Sequence, residues 1–213
     1  MLVKQFHVGG DRNFGYLASD ASSRLAVVID PAYDPDMILD FAEVKNYRVV
    51  YIFNTHNHWD HTNGNKAAEK RTGIKAVGFG DRENSSGKQI SDGLVLPLGE
   101  LKIQIIHTPG HTDDSICILI ADALFTGDTL FVGKIGGTDF GKQARQEYDS
   151  LHNKILKLPD NTSVFPGHDY GINPESTIQK ERDTNPFLLQ PDFEAFVHLK
   201  MHWAEYKKEH GIA

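Results

Sequence analysis

A single cysteine, Cys117, stands in a chain of 213 residues. A disulfide framework within the chain is thereby excluded, and so low a thiol count fits a reducing compartment. Cys117 lies in the apolar run 115–120, where a free thiol behaves as a small buried hydrophobe. No apolar run approaches the roughly 20 residues that cross a bilayer, and residues 1–6 lack the pattern of an export signal. No membrane association is therefore expected, and the cytoplasm is the expected location. Positive charge is scarce as well: 22 Lys and Arg against 29 Asp and Glu leave a net charge of −7. With no basic cluster along the chain, nucleic acid and anionic membranes are not expected partners, because both are polyanions. There is no Gly-x-Ser-x-Gly elbow to carry a serine nucleophile, no internal repeat and no linker.

Hydrophobic residues make up 39% and charged residues 24%, an ordinary balance for a soluble globular protein. The length suits one sizeable core. The expectation is a single domain over 1–213, with helices from about 174 to 213 packed on it. β-Prone runs predict strands at 14–18, 25–29, 49–53, 115–120, 123–126 and 163–165, and a hairpin at 94–98 and 101–106 around Gly99-Glu100. Helical spacing predicts helices at 35–46, 65–72, 174–183 and 192–209. Ala144, Tyr148, Leu151, Ile155 and Leu158 mark one face of another. Gly73 is a plausible helix stop, and the polar, glycine-rich stretches 80–93 and 132–141 read as loops.

Four of these strands end in a short turn carrying His or Asp: His56, His111, Asp128 and His168. Strand ends along one edge of a sheet are rigid places to hang ligands. The densest signal is Thr55-His56-Asn57-His58-Trp59-Asp60-His61, with four imidazole or carboxylate groups within six residues. Such donors suit zinc, iron or manganese. His107 lies just ahead of the third motif and reads as structural. His7, His152, His198, His202 and His210 have no motif around them.

The succession His-x-His-x-Asp-His, Thr-Pro-Gly-His-Thr, Thr-Gly-Asp and Pro-Gly-His over residues 54–168 resembles the ligand set of the metallo-β-lactamase superfamily. The resemblance implies an α+β fold, an αββα sandwich with the metal site at the edge of the two sheets. It implies two divalent metal ions. His56, His58 and His111 would hold the first; Asp60, His61 and His168 the second; Asp128 would bridge them. Asp60 and Asp128 would also be the catalytic carboxylates, tuning a water that the pair of ions converts to hydroxide. A thiolate leaves with little acid assistance, since its pKa is about 8.5, so thioester hydrolysis suits the constellation.

Within the superfamily, residues 54–65 resemble the glyoxalase II signature. Gly137-Thr138-Asp139-Phe140, His168-Asp169-Tyr170 and the segment 176–186 are similar to persulfide dioxygenases. The first likeness implies a hydroxyacylglutathione hydrolase-like thioesterase acting on S-lactoylglutathione or a related small thioester. The second implies a dioxygenase for glutathione persulfide with one Fe(II) on His56, His111 and Asp128. Gly136-Gly137 has glycine where the dioxygenases carry a glutathione-contacting arginine, which together with the context of Trp59 favours the hydrolase. Tyr170 is either a substrate neighbour or a core aromatic. Lys142, with Lys134 and Arg145 nearby, is the candidate cation for the substrate. A β-lactamase would call for export, a nuclease for a basic surface, and a non-catalytic binding module for substitutions among the ligands; none of these features is present. The expected state is monomer or homodimer.

Overall fold

Chain order and hydrogen bonding build two sheets in succession in this computed structural model, which describes residues 1–83 and 85–212. The first holds β1 (Leu2–Gly9), β2 (Asn13–Ser19), β3 (Leu25–Ile29), β4 (Arg48–Phe53) and β5 (Ala76–Val77), in that order. β1 to β3 are antiparallel neighbours, whereas β4 and β5 run parallel to β3. The parallel step from β3 to β4 requires a crossover. Helix α1 (Pro35–Val44) supplies it, with Asp34 accepting from the Met37 N–H at 3.1 Å to cap its first turn. Between β4 and β5 lie the helical turn α2 (Trp59–Thr62) and helix α3 (Asn65–Thr72), which Gly73 stops at φ +73°.

The second sheet begins with β6 (Val95–Leu98), β7 (Leu101–His107), β8 (Ile116–Ile120) and β9 (Ala123–Gly127), joined as an antiparallel meander. A small ladder of β10 (Leu130–Phe131) and β11 (Lys134–Ile135) follows, then α4 (Lys142–Asn153). That helix carries the chain over to β12 (Ser163–Pro166), parallel to β9, and β13 (Ser176–Thr177) closes the edge. Helices α5 (Ile178–Thr184), α6 (Phe193–Met201) and α7 (Trp203–His210) complete the chain.

Three apolar clusters separate the layers. Between the sheets, Phe14, Tyr16, Ile29 and Phe53 meet Ile103, Ile105, Ile118 and Phe125. Val8, Leu17, Val28 and Ile52 turn outward onto Ile38, Leu39 and Ala42 of α1. Cys117, Leu124 and Val164 turn outward onto Leu151 of α4, Ile178 of α5 and Phe196 and Leu199 of α6. The arrangement is the expected αββα sandwich. Strand β2 is buried along its whole length because both of its faces are covered.

Some elements depart from the sequence reading. β1 is an additional strand; only Phe6 and Val8 are buried in it, so its alternation is short. β10 and β11 are two-residue strands within the stretch read as a loop, too short to leave a pattern. The helix expected from 174 starts at Ile178, because Ser176 and Thr177 pair with β12 and the Thr177 hydroxyl accepts from the Lys180 N–H. The helix expected over 192–209 breaks at His202 (φ −109°, ψ 20°), and Trp203 then rests on Phe187 at 4.7 Å between centroids. Among the described residues, no helix is long and apolar enough to cross a membrane.

Candidate metal centre

The motif residues gather where β4, β7, β9 and β12 run out. β4 leads through Asn54 and Thr55 into His56 and His58, and α2 then presents Asp60 and His61. His111 lies in the turn between β7 and β8, Asp128 directly after β9, and His168 just beyond β12. Three overlapping groups have donor atoms all within 4.8 Å of one another: His56, His58 and His111; His56, His61 and Asp128; Asp60, His61 and His168. Asp128 Oδ2 lies 3.6 Å from His111 Nε2 and 3.4 Å from His168 Nε2, so one oxygen faces both halves of the cluster. Asp60 Oδ2 is 3.4 Å from His168 Nε2 and 3.7 Å from His61 Nε2.

The outer nitrogens fix the tautomers. His111 Nδ1 is 2.8 Å from the Gly137 carbonyl and His168 Nδ1 is 2.9 Å from the Asp11 carbonyl. A carbonyl only accepts, so each Nδ1 must carry the proton, leaving Nε2 as a lone pair in the neutral ring. His61 Nδ1 lies 2.9 Å from Asp30 Oδ2. The Thr55 hydroxyl donates to the same oxygen at 2.7 Å, which leaves it free to accept from His56 Nδ1 at 3.1 Å. Four imidazoles therefore turn Nε2 inward, while His58 offers Nδ1, 3.0 Å from His111 Nε2. Such outer partners orient metal-binding histidines and raise their basicity.

This donor set fits divalent cations. His61 Nε2 and His168 Nε2 face each other at 3.3 Å, so the two nitrogens must share either a proton or a cation. His56 Nε2 and Asp128 Oδ1 are buried without a hydrogen-bond partner, an arrangement that costs desolvation unless a cation completes it. Without a metal, the titrations divide. Burial works against a charge on His61, but Asp30 and then Asp128 raise it well above the ordinary imidazole range. Burial likewise works to lower His168, and Asp128 outweighs it. Burial and the charge on His61 push His56 well down, and burial lowers His111. Burial acts to raise Asp128, yet the adjacent His168 and His61 rings hold it well below the carboxylate range.

Close packing leaves no room for side chains here. A Cβ on Gly167 would lie 2.4 Å from Asp128 Oδ1 and 2.9 Å from His61 Cε1, and one on Gly136 would lie 2.0 Å from the Asp128 carbonyl oxygen. Beside the cluster is a cavity of about 460 Å³ lined by His111, Asp128, Phe131, Lys134, Gly137 and Tyr170 among others. Tyr170 stacks on His168 (4.6 Å, 9°) and donates to Asp11 Oδ2 at 2.6 Å. It is a neighbour of the cavity rather than a core aromatic.

Lys142, the cation singled out in the sequence, sits exposed at the start of α4 and is absent from the lining. Arg145 covers the Phe193 ring at 3.4 Å; the cations at the cavity are Lys134 and Lys200, the latter paired with Glu147. His107 stacks on Phe79 (3.8 Å, 8°) and approaches the Asp113 carbonyl at 2.8 Å, a structural role. Asp139, in the stretch similar to persulfide dioxygenases, accepts from the N–H groups of Gly141, Gln143 and Ala144 and so organises the start of α4. Sequence reasoning missed Asp30, Thr55, Asn13 and the carbonyls of Asp11 and Gly137. Asn13 donates to Asp60 Oδ2 at 3.0 Å. Thr55 stands in the densest motif without a role of its own, and Asp30 is one more acidic residue at a strand end.

Comparison with known proteins matches residues 15–168 to a family model described as the Metallo-beta-lactamase superfamily. The chain is 37% identical over 184 residues to a hydroxyacylglutathione hydrolase of Dictyostelium discoideum, covering 81% of this chain and 67% of that protein. It is 35% identical over 192 residues to a hydroxyacylglutathione hydrolase of a Polaromonas species, covering 86% and 73%. Among solved structures, ETHE1 from Myxococcus xanthus superposes with a TM-score of 0.86 at 36% identity, covering 95% of this chain and 91% of that one.

Proposed function

Because this chain belongs to the metallo-beta-lactamase superfamily, we propose that it is a metal-dependent hydrolase of the hydroxyacylglutathione hydrolase type, cleaving S-lactoylglutathione or a related thioester. The observation that carries this reading is the convergence of seven side chains, four of them imidazoles with Nε2 turned inward and Nδ1 committed to another partner. His56, His58 and His111 would hold one divalent ion, Asp60, His61 and His168 a second, with Asp128 shared. Zinc, iron and manganese all suit these donors. When bound, the ions would acidify a water molecule and polarise the carbonyl under attack.

The chain's own residues do the rest. Asp128 is only slightly exposed and is held ionised, so its charge is fixed where the two halves of the site meet. Asp60 is the more open carboxylate, its side chain 32% exposed, with Oδ2 oriented by Asn13. Its exposure lets it relay a proton from the site to solvent. The cavity lined by Phe131, Gly137 and Tyr170 positions the substrate against His111 and Asp128. No acid is required at the leaving sulfur, since a thiol of pKa about 8.5 departs as thiolate.

Similarity of structure supports a second reading: ETHE1 from Myxococcus xanthus superposes with a TM-score of 0.86 at 36% identity. The resemblance of residues 137–140 and 168–170 to persulfide dioxygenases gives that reading its reaction, with one Fe(II) on His56, His111 and Asp128. Two assays on purified protein of known metal content separate the readings. Loss of S-lactoylglutathione with about two metals per chain is the expected result. Oxygen uptake with glutathione persulfide and one iron per chain, without thioester cleavage, would overturn it.

A further inference from the structure

Asn13 is fully buried, and only half of its amide is used. Nδ2 donates to Asp60 Oδ2 at 3.0 Å and to the Asp60 carbonyl at 3.2 Å, and it lies 3.4 Å from His168 Nε2. Oδ1 is buried without a hydrogen-bond partner. The reverse orientation would set Oδ1 against two oxygens of Asp60, acceptor against acceptor, so the carboxylate fixes the amide. An amide oxygen left unpaired in the interior costs free energy, and an apolar residue would avoid that cost. What Asn13 contributes here is its N–H groups, aimed at two of the three side chains that gather as Asp60, His61 and His168.

Asn13 closes the turn between β1 and β2. Gly9 (φ +115°), Gly10 (φ +59°) and Arg12 (φ +60°) all take positive φ, and the strand register slips between His7 and Gly9. The Asp11 carbonyl, in the same turn, is the partner of His168 Nδ1 at 2.9 Å. Backbone bonds from Phe14 to Gly167 and from Asp169 to Arg12, both 2.9 Å, tie the turn to the chain on either side of His168. Tyr33 covers it: a Cβ on Gly10 would collide with the Tyr33 ring and lie 2.5 Å from Asn13 Oδ1. His56, His58 and His111 are held elsewhere. Among the described residues, the hydrogen-bond partners of these three rings are Thr55, the Gly137 carbonyl and one another, none of them in this turn.

We propose that the β1–β2 turn sets the metal stoichiometry of the chain, with Asn13 as the positioning residue for the second ion. It holds Asp60 and His168 in register with His61, while the group of His56, His58 and His111 forms without it. The proposal rests on the two-metal reading above. Loss of the second ion alone would leave His56, His111 and Asp128, the donors of the one-iron reading, so this turn stands between the two forms of the site.

Stepwise zinc titration of the full chain against a chelator of known affinity reads each ion separately and without turnover. Asn13→Leu removes the donor and keeps the bulk; Gly10→Ala strains the turn and changes no donor atom. In each, affinity for the second ion should fall on the order of 10- to 100-fold, as for loss of an outer partner, with the first ion within about twofold of the wild type. A residue that only supported the fold would weaken both steps alike or neither. Equal losses at both steps, or two unchanged steps, in the folded variants would overturn the proposal. Should Asn13→Leu fail to fold, Gly10→Ala and Asn13→Ala decide by the same criterion. A wild type that binds a single ion would instead remove the two-metal reading, and this proposal with it; a wild type that binds two while both variants match it removes the proposal alone.

Discussion

Asp30 holds two histidines of the metal cluster at once, His61 directly and His56 through the Thr55 hydroxyl. Its backbone sits at φ +48°, a region that aspartate tolerates better than most residues, and three hydrogen bonds to its carboxylate keep it there. Asp30→Asn retains the shape but replaces one acceptor oxygen with a donor, so either Thr55 or His61 loses its partner. Metal affinity should fall by about 10- to 100-fold, the usual cost of removing such an outer partner, as read by competition with a chelator; unchanged affinity would show that Asp30 does not orient the ligands. The seven inner donors were legible in the sequence because His and Asp cluster in short runs at strand ends. Asp30 was not, because one aspartate before a proline reads as a turn, and its partners are 25 and 31 residues away. The Gly137 and Asp11 carbonyls leave no side-chain signal at all.

At the scale of elements, α4 and α6 reach the site through one buried ion pair. Lys200 of α6 pairs with Glu147 of α4 and donates to the Gly136 carbonyl at 3.0 Å, next to the carbonyl that fixes His111. From α4, Glu147 packs against Gly110 and the Ser150 hydroxyl donates to the Pro109 carbonyl at 2.8 Å, bracing the turn that carries His111. Burial pushes the Glu147 carboxyl up to about 7, with Lys200 opposing. A carboxyl raised on folding binds its proton more tightly in the folded chain. Its stabilising contribution is therefore complete below the unfolded value of about 4.3 and is lost as pH rises through about 7. Glu147→Gln abolishes this titration. Denaturant melts should show the wild type losing stability relative to the variant across that window; parallel curves would refute the account. The sequence revealed the apolar face of α4 but not this pair, because Glu147 and Lys200 read as ordinary polar residues on the faces of separate helices. Long strands were legible from their apolar runs. β10 and β11 were not, since two residues carry no periodicity.

At the scale of the whole molecule, the sandwich brings residues more than a hundred positions apart to one edge: His61 and His168 meet because the turn after β4 and the end of β12 lie on the same side of two stacked sheets. The family match stops at residue 168, yet Lys200 and Trp203, on helices beyond it, line the cavity beside the metal cluster. These helices were legible as amphipathic segments packing on the main layers, while the walls they give the cavities depend on a helix break at His202 that no residue type announces. The central claim, that this edge grips a pair of divalent ions, is tested most directly by metal content per chain in the wild type and in Asp128→Ala, after reconstitution and removal of free ions. The account predicts about two equivalents in the wild type, as for a two-metal site, and loss from both positions in the variant. A wild type that takes up no divalent ion, or an Asp128→Ala protein that keeps both, would contradict it.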